Sequence, residues 1–187
     1  MISKKIILCS QSPRRRHLLA GLDVDFETDA LDMDESFPNH LVKGEVAYWL
    51  AEKKSTTYTK PLGDKILLTC DTIVCLGNEV INKPQDLAEA TAMIEKLSGR
   101  MHEVYTGVCL RTQTKQTTFT VCTKVYFKPL TEHEISYYVN TYKPMDKAGA
   151  YGIQEWLGYI GIDKIEGCYY NVMGLPLSKI YEELLTF

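Results

Sequence analysis

Apolar positions recur along the chain with two different periods, which divide it into a series of strands and helices. Stretches in which apolar residues alternate or run together predict strands, and stretches in which they recur every three or four positions predict helices. The predicted strands are residues 4–9, 24–27, 65–76, 79–81, 102–112, 117–128 and 159–165. The predicted helices are residues 13–21, 43–58, 87–97, 132–142 and 177–185.

Local signals at the ends of these segments agree with the assignment. Asp86 with Glu89, and Thr131 with Glu134, have the spacing of a capping box, in which each side chain accepts a hydrogen bond from the other residue's backbone. The polar residues 113–116 join two long strand-like stretches and predict an antiparallel hairpin. Since helices alternate with strands and one hairpin is antiparallel, we expect an α/β fold with a mixed central sheet flanked by helices.

Composition and charge narrow the class of protein. The chain has 187 residues, 45% hydrophobic and 24% charged, and we expect a single domain over residues 1–187. A formal charge of −3 gives no overall field that would attract nucleic acid or an anionic membrane. The apolar runs are too short to cross a bilayer of roughly 30 Å, and the segment after Lys4 and Lys5 lacks the apolar core of a signal peptide. We therefore expect a cytoplasmic protein that binds neither nucleic acid nor membrane.

The cysteines and histidines show no metal-binding spacing. The six cysteines include no Cys-x-x-Cys pair, and the four histidines lie far apart in the sequence, unlike the ligands of a zinc site. We interpret the cysteines as reduced thiols of the core. They are Cys9, Cys70, Cys75, Cys109, Cys122 and Cys168.

The first candidate site lies where the first strand runs directly into the first helix. Ser12 is the expected N-cap and Pro13 the first helical residue, and a helix N-terminus attracts anions through its free N–H groups. The three arginines that follow interact unfavourably with the helix dipole, at a cost of about 0.3–1 kcal/mol each. An anionic ligand bound there would make the interaction favourable. We expect Arg14 and Arg15 to bind phosphate, because the planar guanidinium suits groups with several oxygens, and Arg16 to be solvated.

The second candidate is a polar pair, Asp71 and Thr72, inside the apolar strand at residues 65–76. An unpaired carboxylate in a buried strand is costly, so Asp71 needs a cation, a metal ion or hydrogen-bond donors near it, or a place where the strand opens into a cleft. A hydrogen-bonded structural role is the alternative. We favour a functional role, because no residue adjacent in sequence neutralises Asp71.

Further charged residues are scattered along the chain and, taken singly, are typical of a solvated surface. They are Lys54, Lys83, Lys147, Asp34 and Glu35. Together they supply cations for phosphates and carboxylates for a hard metal ion such as Mg²⁺, the set that phosphoryl-transfer chemistry needs. No P-loop and no dinucleotide-binding glycine motif accompanies them.

A series of short residue blocks runs through almost the whole chain. They are Leu8-Cys9-Ser10-Gln11-Ser12-Pro13-Arg14-Arg15, Asp34-Glu35, Leu50-Ala51 with Lys54, Cys70-Asp71-Thr72-Ile73-Val74, Asn82-Lys83-Pro84 with Asp86, Leu97-Ser98-Gly99 with His102, Val104 and Thr106-Gly107-Val108, Asp146-Lys147-Ala148-Gly149-Ala150-Tyr151-Gly152-Ile153-Gln154, and Gly174-Leu175-Pro176. In this order the blocks resemble the Maf proteins, nucleoside triphosphate pyrophosphatases whose fold is akin to that of the inosine triphosphate pyrophosphatases. The resemblance implies an elongated mixed sheet with two lobes around a cleft, and a homodimer.

The resemblance also implies a class of substrate. The dTTP/UTP pyrophosphatases of the family have Arg, Thr and Gln where this chain has Arg14, Thr72 and Gln154, whereas a subgroup associated with 7-methyl-GTP differs at these positions. We therefore expect hydrolysis of dTTP and UTP, with modified pyrimidine nucleotides as further, house-cleaning substrates. An amide and a hydroxyl suit the polar edge of a pyrimidine, and polar recognition rejects wrong bases more strongly than shape alone.

The same resemblance implies roles for individual residues. Asp71 is the expected general base, which activates a water molecule for attack on the α-phosphorus with the help of Mg²⁺ or Mn²⁺. Glu35 is the expected metal ligand, and Asp71 binding the metal instead of acting as base is the alternative. The residues implied to hold the triphosphate are Lys54, Lys83, Arg15 and Ser10.

The chain departs from the family pattern in three places. Cys9 replaces the usual Ala, and Thr69-Cys70 replaces a usual Gly-Ala pair, which we expect to alter packing and not chemistry. Glu155-Trp156 follows Gln154 where small residues are commoner, and we expect it to reshape the mouth of the pocket and affect substrate preference.

Two other functions remain open at this point. The first is a nucleotide-binding regulator of septum formation and cell division that needs no catalysis. The second is a purine pyrophosphatase acting on ITP or 7-methyl-GTP.

Overall fold

The computed structural model describes residue 2 and residues 4–187, which form seven strands and seven helices. The strands are β1 (Ile6–Cys9), β2 (Phe26–Asp29), β3 (Ile66–Leu76), β4 (Glu79–Ile81), β5 (Met101–Arg111), β6 (Gln116–Phe127) and β7 (Ile162–Glu166). The helices are α1 (Pro13–Ala20), α2 (Gly44–Thr57), α3 (Leu87–Leu97), α4 (Glu132–Tyr142), α5 (Trp156–Gly161), α6 (Tyr169–Val172) and α7 (Leu177–Leu184), with a 3₁₀ turn at Ala148–Ala150. Over the described residues, no helix is long and apolar enough to cross a membrane.

The strands form a mixed sheet in the order β2-β1-β3-β5-β6-β7, with β4 paired to the last part of β3. β1 is parallel to β2 and β3, and the other pairs are antiparallel. The hairpin predicted around residues 113–116 is the β5–β6 pair. The predicted fold class, a mixed α/β sheet flanked by helices, is therefore confirmed.

One edge of β3 is only partly paired. β1 pairs with β3 as far as Cys9 opposite Thr69, and pairing with β4 starts only at Val74, opposite Ile81 at the end of β4. Among the described residues, no strand covers 70–73 on this edge, although β5 pairs with them on the other. The gap opens the middle of the sheet to a cleft, which explains how a polar pair interrupts a buried strand.

Two hydrophobic cores lie on either side of this gap. One packs Leu18 of α1 and Ile180 of α7 against β1 and the first part of β3, which include Leu8. The other packs Ile94 of α3 and Tyr138 of α4 against the last part of β3 and against β5 and β6. This arrangement agrees with the expected two lobes around a cleft.

Helix α2 lies against the opposite face of the sheet at very close range. Its apolar side, which includes Ala47, packs on Ile73 of β3. A Cβ atom at Gly107 of β5 would lie 2.0 Å from the carbonyl oxygen of Ala47, so only glycine permits this approach. Since alternate residues of a strand face the same side, Asp71 faces α2 as Ile73 does, and α2 brings Lys54 to it.

The predicted strand at residues 159–165 is wrong in its first part, because α5 occupies the first three of these residues. Burial of Leu157 and edge-on packing of Trp156 on Tyr137, with ring centroids 4.8 Å apart, stabilise this short helix. Tertiary contacts thus override a local apolar run that has no clear period. The sequence pattern also did not predict α6.

The two predicted capping boxes differ in outcome. The box formed by Thr131 and Glu134 is present at the start of α4. At α3, Asp86 accepts a hydrogen bond from the Glu89 backbone at 2.8 Å, but the Glu89 carboxylate accepts from the backbone of Gln85 at 2.7 Å instead of from Asp86. This second box is therefore only half formed.

The interpretation of the cysteines as core thiols holds for four of them. Cys9, Cys70, Cys75 and Cys109 are buried and free, and Cys168 is half-buried. The sixth, Cys122, is exposed, and for it the prediction is wrong. Alternation along β6 accounts for this, because the neighbouring residue 123 is the one that faces inward.

Candidate active site

All nine of the predicted site residues line a single cleft with a volume of about 940 Å³ at the gap in β3. They come from six different parts of the chain, which the sheet and helices bring together. They are Ser10, Arg14, Arg15, Glu35, Lys54, Asp71, Thr72, Lys83 and Gln154.

Asp71 lines the cleft, and its carboxylate forms an ion pair with Lys54. Both side chains are 12% exposed. Lys54 also pairs with Glu35 at 2.8 Å, and Lys83 approaches the other oxygen of Glu35 at 3.6 Å. The cation that Asp71 requires is therefore supplied by α2, 17 residues away in sequence.

Neighbouring charges determine the protonation of Lys54 and Glu35. Burial and the nearby charge of Arg15 lower the pKa of Lys54, but the Asp71 and Glu35 carboxylates together outweigh them, and the pKa of Lys54 is raised. Burial would raise the pKa of Glu35, but Lys54 and Lys83 outweigh it, and the pKa of Glu35 is lowered. At neutral pH Lys54 and Glu35 are therefore both charged.

The first turn of α1 has the predicted cap. Ser12 is the N-cap, and its hydroxyl accepts a hydrogen bond from the backbone of Arg15 at 3.4 Å, with Pro13 at the first helical position. The hydroxyl of Ser10 accepts from the Ser12 backbone at 3.2 Å. Arg16 is exposed, as predicted. The helix thus begins directly at the cleft, with its N–H groups at the cleft end.

Arg15 joins three segments of the chain. Its Nε donates to the carbonyl of Gly174 at 2.8 Å, Nη1 to the carbonyl of Cys70 at 3.1 Å, and Nη2 to the hydroxyl of Thr72 at 3.0 Å. Phosphate binding by Arg15 stays a prediction. The structure adds a second role for Arg15, because its bonds fix the unpaired edge of β3 against α1 and the segment before α7.

Arg14 faces a different partner. Its Nη1 lies 2.5 Å from Oδ2 of Asp146, whose other oxygen lies 2.8 Å from Nζ of Lys147. Burial would raise the pKa of Asp146, but Lys147 and Arg14 outweigh it and lower this pKa to about 2. Asp146 therefore remains an anion under all ordinary conditions and holds Arg14 at the rim of the cleft.

The cleft is also lined by residues for which the sequence predicted no separate role. Tyr151 lines the cleft, and its hydroxyl lies 2.7 Å from Nε2 of the buried His102. Lys147, interpreted as one of several scattered charges, has a side chain only 9% exposed and also pairs with Glu155 at 3.0 Å. Its position in a charged, glycine-rich block was the available signal, but only the fold brings Glu155 to it.

The residues present fit a divalent metal ion held together with a polyphosphate. Over residue 2 and residues 4–187, no group of three or more His, Cys, Asp or Glu side chains is arranged to bind a metal ion. Asp71 and Glu35 meet at Lys54, so the chain offers two carboxylates at one point of the cleft. Mg²⁺ in nucleotide sites is bound in this way, by one or two carboxylates and by substrate phosphates.

Comparison with known proteins identifies a family. A model described as Maf-like protein matches residues 5–187. The chain is 49% identical to a dTTP/UTP pyrophosphatase of Parabacteroides distasonis, over 98% of this chain and 96% of that protein. It is 46% identical to a dTTP/UTP pyrophosphatase of Porphyromonas gingivalis, over 98% and 94%, and 47% identical to one of Flavobacterium johnsoniae, over 97% and 94%. Among solved structures, a HAM1 protein from Coxiella burnetii superposes with a TM-score of 0.44 and 14% identity, over 66% of this chain and 73% of that one.

Proposed function

We propose that this chain, which belongs to the Maf family, hydrolyses dTTP and UTP to the nucleoside monophosphate and pyrophosphate. One observation carries the proposal: the carboxylate of Asp71, in a residue only 8% exposed, lies at the gap in β3 beside Lys54 and faces the cleft where α1 begins. A buried carboxylate next to preorganised cations suits proton abstraction beside a bound triphosphate. The names of the relatives supply the two nucleotides.

The triphosphate has a cationic place in the cleft. Lys54, Lys83 and Arg15 line the same cleft as the hydroxyl of Ser10 and the start of α1. Their charges oppose those of the phosphates and match the charge that moves onto the leaving group during hydrolysis. Binding would also give the basic first turn of α1 the anion that the helix dipole favours.

Hydrolysis by this arrangement requires a single proton transfer from the attacking water. The water oxygen forms a bond to the α-phosphorus as its proton passes to an Oδ atom of Asp71. The bond from the α-phosphorus to the bridging oxygen breaks, and its electron pair leaves with the pyrophosphate. Asp71 would then return the proton to solvent through the open cleft.

We also propose a dependence on Mg²⁺ or Mn²⁺, with Glu35 as the protein ligand. When bound, the ion would neutralise phosphate charge and polarise the phosphoryl oxygens. Asp71 binding the ion instead of serving as base remains the alternative. Lys54, which bridges both carboxylates, would keep them from repelling each other before substrate arrives.

Base recognition is assigned to Arg14, Thr72 and Gln154, which line the same cleft. Guanidinium and amide N–H groups would donate to the pyrimidine O2 and O4, and a hydroxyl or amide oxygen would accept from N3–H. Cytosine presents the opposite pattern at N3 and C4, so this set would favour uracil and thymine. The cytoplasmic location and the homodimer stay predictions.

A nucleotide panel tests the proposal. Pyrophosphate release is measured from dTTP, UTP, CTP, ITP, GTP and 7-methyl-GTP, with Mg²⁺, with Mn²⁺ and with EDTA. We expect metal-dependent turnover led by dTTP and UTP. Asp71→Asn should reduce it by at least about 100-fold, as loss of a general base does, whereas the exposed control Asp163→Asn should not.

The other outcomes of the panel discriminate the alternatives. Turnover led by ITP or 7-methyl-GTP would overturn the base assignment and favour the purine enzyme. Absence of turnover in folded protein that still binds nucleotide would favour the regulator.

A further inference from the structure

A chain of polar contacts runs behind the wall of the cleft and ends at two residues assigned to the base. Its centre is Glu155, one of the residues at which this chain departs from the family pattern. Oε1 of Glu155 lies 3.0 Å from Nζ of Lys147, and Oε2 accepts a hydrogen bond from the hydroxyl of Tyr138. The same Tyr138 hydroxyl accepts a hydrogen bond from the backbone N–H of Gly152 at 3.0 Å.

These contacts hold the segment that carries Gln154. Its beginning is fixed by the Tyr138 hydroxyl at Gly152, and its end by the Tyr159 hydroxyl, which donates to the carbonyl of Gln154 at 2.6 Å. The backbone of Glu155 donates to the carbonyl of Gly152 at 3.0 Å and closes the turn. The position of the Gln154 side chain therefore depends on the turn that Glu155 completes.

The contacts also reach Arg14 on the other side. Lys147 lies between two carboxylates, with Nζ 2.8 Å from Asp146 and 3.0 Å from Glu155. Asp146 in turn pairs with Arg14. Without the charge of Glu155, Lys147 would have Asp146 as its only carboxylate partner among the described residues and would compete with Arg14 for it.

We infer that Glu155 is a positioning residue for base recognition, which fixes Gln154 through Tyr138 and Arg14 through Lys147 and Asp146. The inference rests on the proposed function, because it takes Arg14 and Gln154 as the residues that read the base. Glu155 would act without touching the phosphates or Asp71. Its effect would therefore fall on the affinity and choice of nucleotide and not on the rate of the chemical step.

Burial gives these contacts their strength. Tyr138 is fully buried, and the side chains of Lys147 and Glu155 are 9% and 20% exposed. Burial and the adjacent Glu155 carboxylate raise the pKa of Tyr138, so its hydroxyl stays protonated and donates to Glu155. A Cβ atom at Gly152 would lie 2.8 Å from Cδ of Glu155, so the turn is shaped around this carboxylate.

Two variants weaken these contacts, one at Glu155 and one at Tyr138. Glu155→Gln keeps the length of the side chain and an acceptor for Tyr138 but removes the charge that faces Lys147. Tyr138→Phe removes the hydroxyl from a residue that does not line the cleft. The matched control is Tyr58→Phe, which removes a hydroxyl that donates to Asp29 at 2.9 Å, away from the cleft.

Two readouts are measured for each protein. One is the dissociation constant of α,β-methylene-UTP and of its cytidine analogue, by calorimetry. The other is kcat and KM for UTP and CTP. For both variants we expect the affinity for the UTP analogue to fall about tenfold and the preference for uridine over cytidine to become smaller. The kcat should stay within about twofold of wild type, because polar recognition of the base is lost but contacts to the transition state are kept. The control should match wild type.

A double variant sharpens the test. Since Glu155 and Tyr138 act through one turn, Glu155→Gln with Tyr138→Phe should lose less affinity than the sum of the two single losses. The inference is overturned if both folded single variants bind and discriminate as wild type does, or if kcat falls as much as affinity. If wild type binds the analogue but releases no pyrophosphate, the proposed function fails while the affinity test of Glu155 still stands.

Discussion

Removing Lys54 should destabilise the protein as well as inactivate it, because Lys54 neutralises a buried carboxylate. In Lys54→Met the length and the apolar stem of the side chain are kept, and the ammonium group is lost. Asp71, whose side chain is 12% exposed in the wild type, would then have no ion-pair partner among the described residues. Breaking a buried pair by removing one partner costs roughly 3–5 kcal/mol, and we expect about 3 kcal/mol because the pair borders an open cleft.

The size of the effect can be measured by heat or by denaturant. For a domain of this length, 1 kcal/mol corresponds to a shift in Tm of about 2–4 °C, so Lys54→Met should melt about 6–12 °C below wild type. The neighbour Lys53 has a side chain 27% exposed and pairs with Asp34 at 3.8 Å. Lys53→Met is the matched control and should cost less than about 1 kcal/mol.

A double variant separates the loss of the pair from the loss of packing. Asp71→Asn leaves Lys54 with Glu35 and should cost about 1 kcal/mol, as for a weakened hydrogen bond. Adding Asp71→Asn to Lys54→Met removes the unpaired charge and should restore part of the lost stability. The reasoning would be refuted if Lys54→Met melted within about 2 °C of wild type, or if the two substitutions were simply additive.

Two further substitutions test the walls of the cleft. Burial lowers the pKa of His102 from 6.5 to about 4, so the unfolded state takes up a proton first as pH falls. The free energy of unfolding should therefore not depend on His102 above pH 6.5 and should fall by about 3 kcal/mol between pH 6.5 and pH 4. His102→Gln should reduce this dependence of the free energy of unfolding on pH, measured in urea, whereas the exposed control His133→Gln should not. Arg15→Lys cannot reproduce the bonds of the guanidinium to Gly174, Cys70 and Thr72 and should lower the free energy of unfolding by about 2 kcal/mol. Arg16→Lys should leave the free energy of unfolding unchanged, and equal urea midpoints for the two variants would contradict this expectation.

Much of the site could be predicted because short segments of the sequence indicate it by themselves. Ser12 and Pro13 mark the start of α1 by their own backbone preferences. Asp71 and Thr72 stand out because they interrupt an apolar strand, and burial makes such an interruption costly. The gap in the pairing of β3 is the structural counterpart of that signal.

What could not be predicted depends on contacts between distant parts of the chain. Three of the four acceptors of the Arg15 guanidinium lie 55, 57 and 159 residues away from it. Gly107 shows the same dependence, because a Cβ atom there would lie 2.0 Å from the carbonyl oxygen of Ala47 on α2, a close approach that the sequence pattern does not contain. Local periodicity predicts elements, whereas such approaches arise only once the elements are packed.

The most direct test of the account is the position of the bond that breaks. UTP is hydrolysed by the wild-type protein in ¹⁸O-labelled water, and the products are analysed by mass spectrometry. Attack of water on the α-phosphorus predicts one labelled oxygen in UMP and none in pyrophosphate. Label in pyrophosphate, or products consisting of UDP and phosphate, would contradict the proposed reaction.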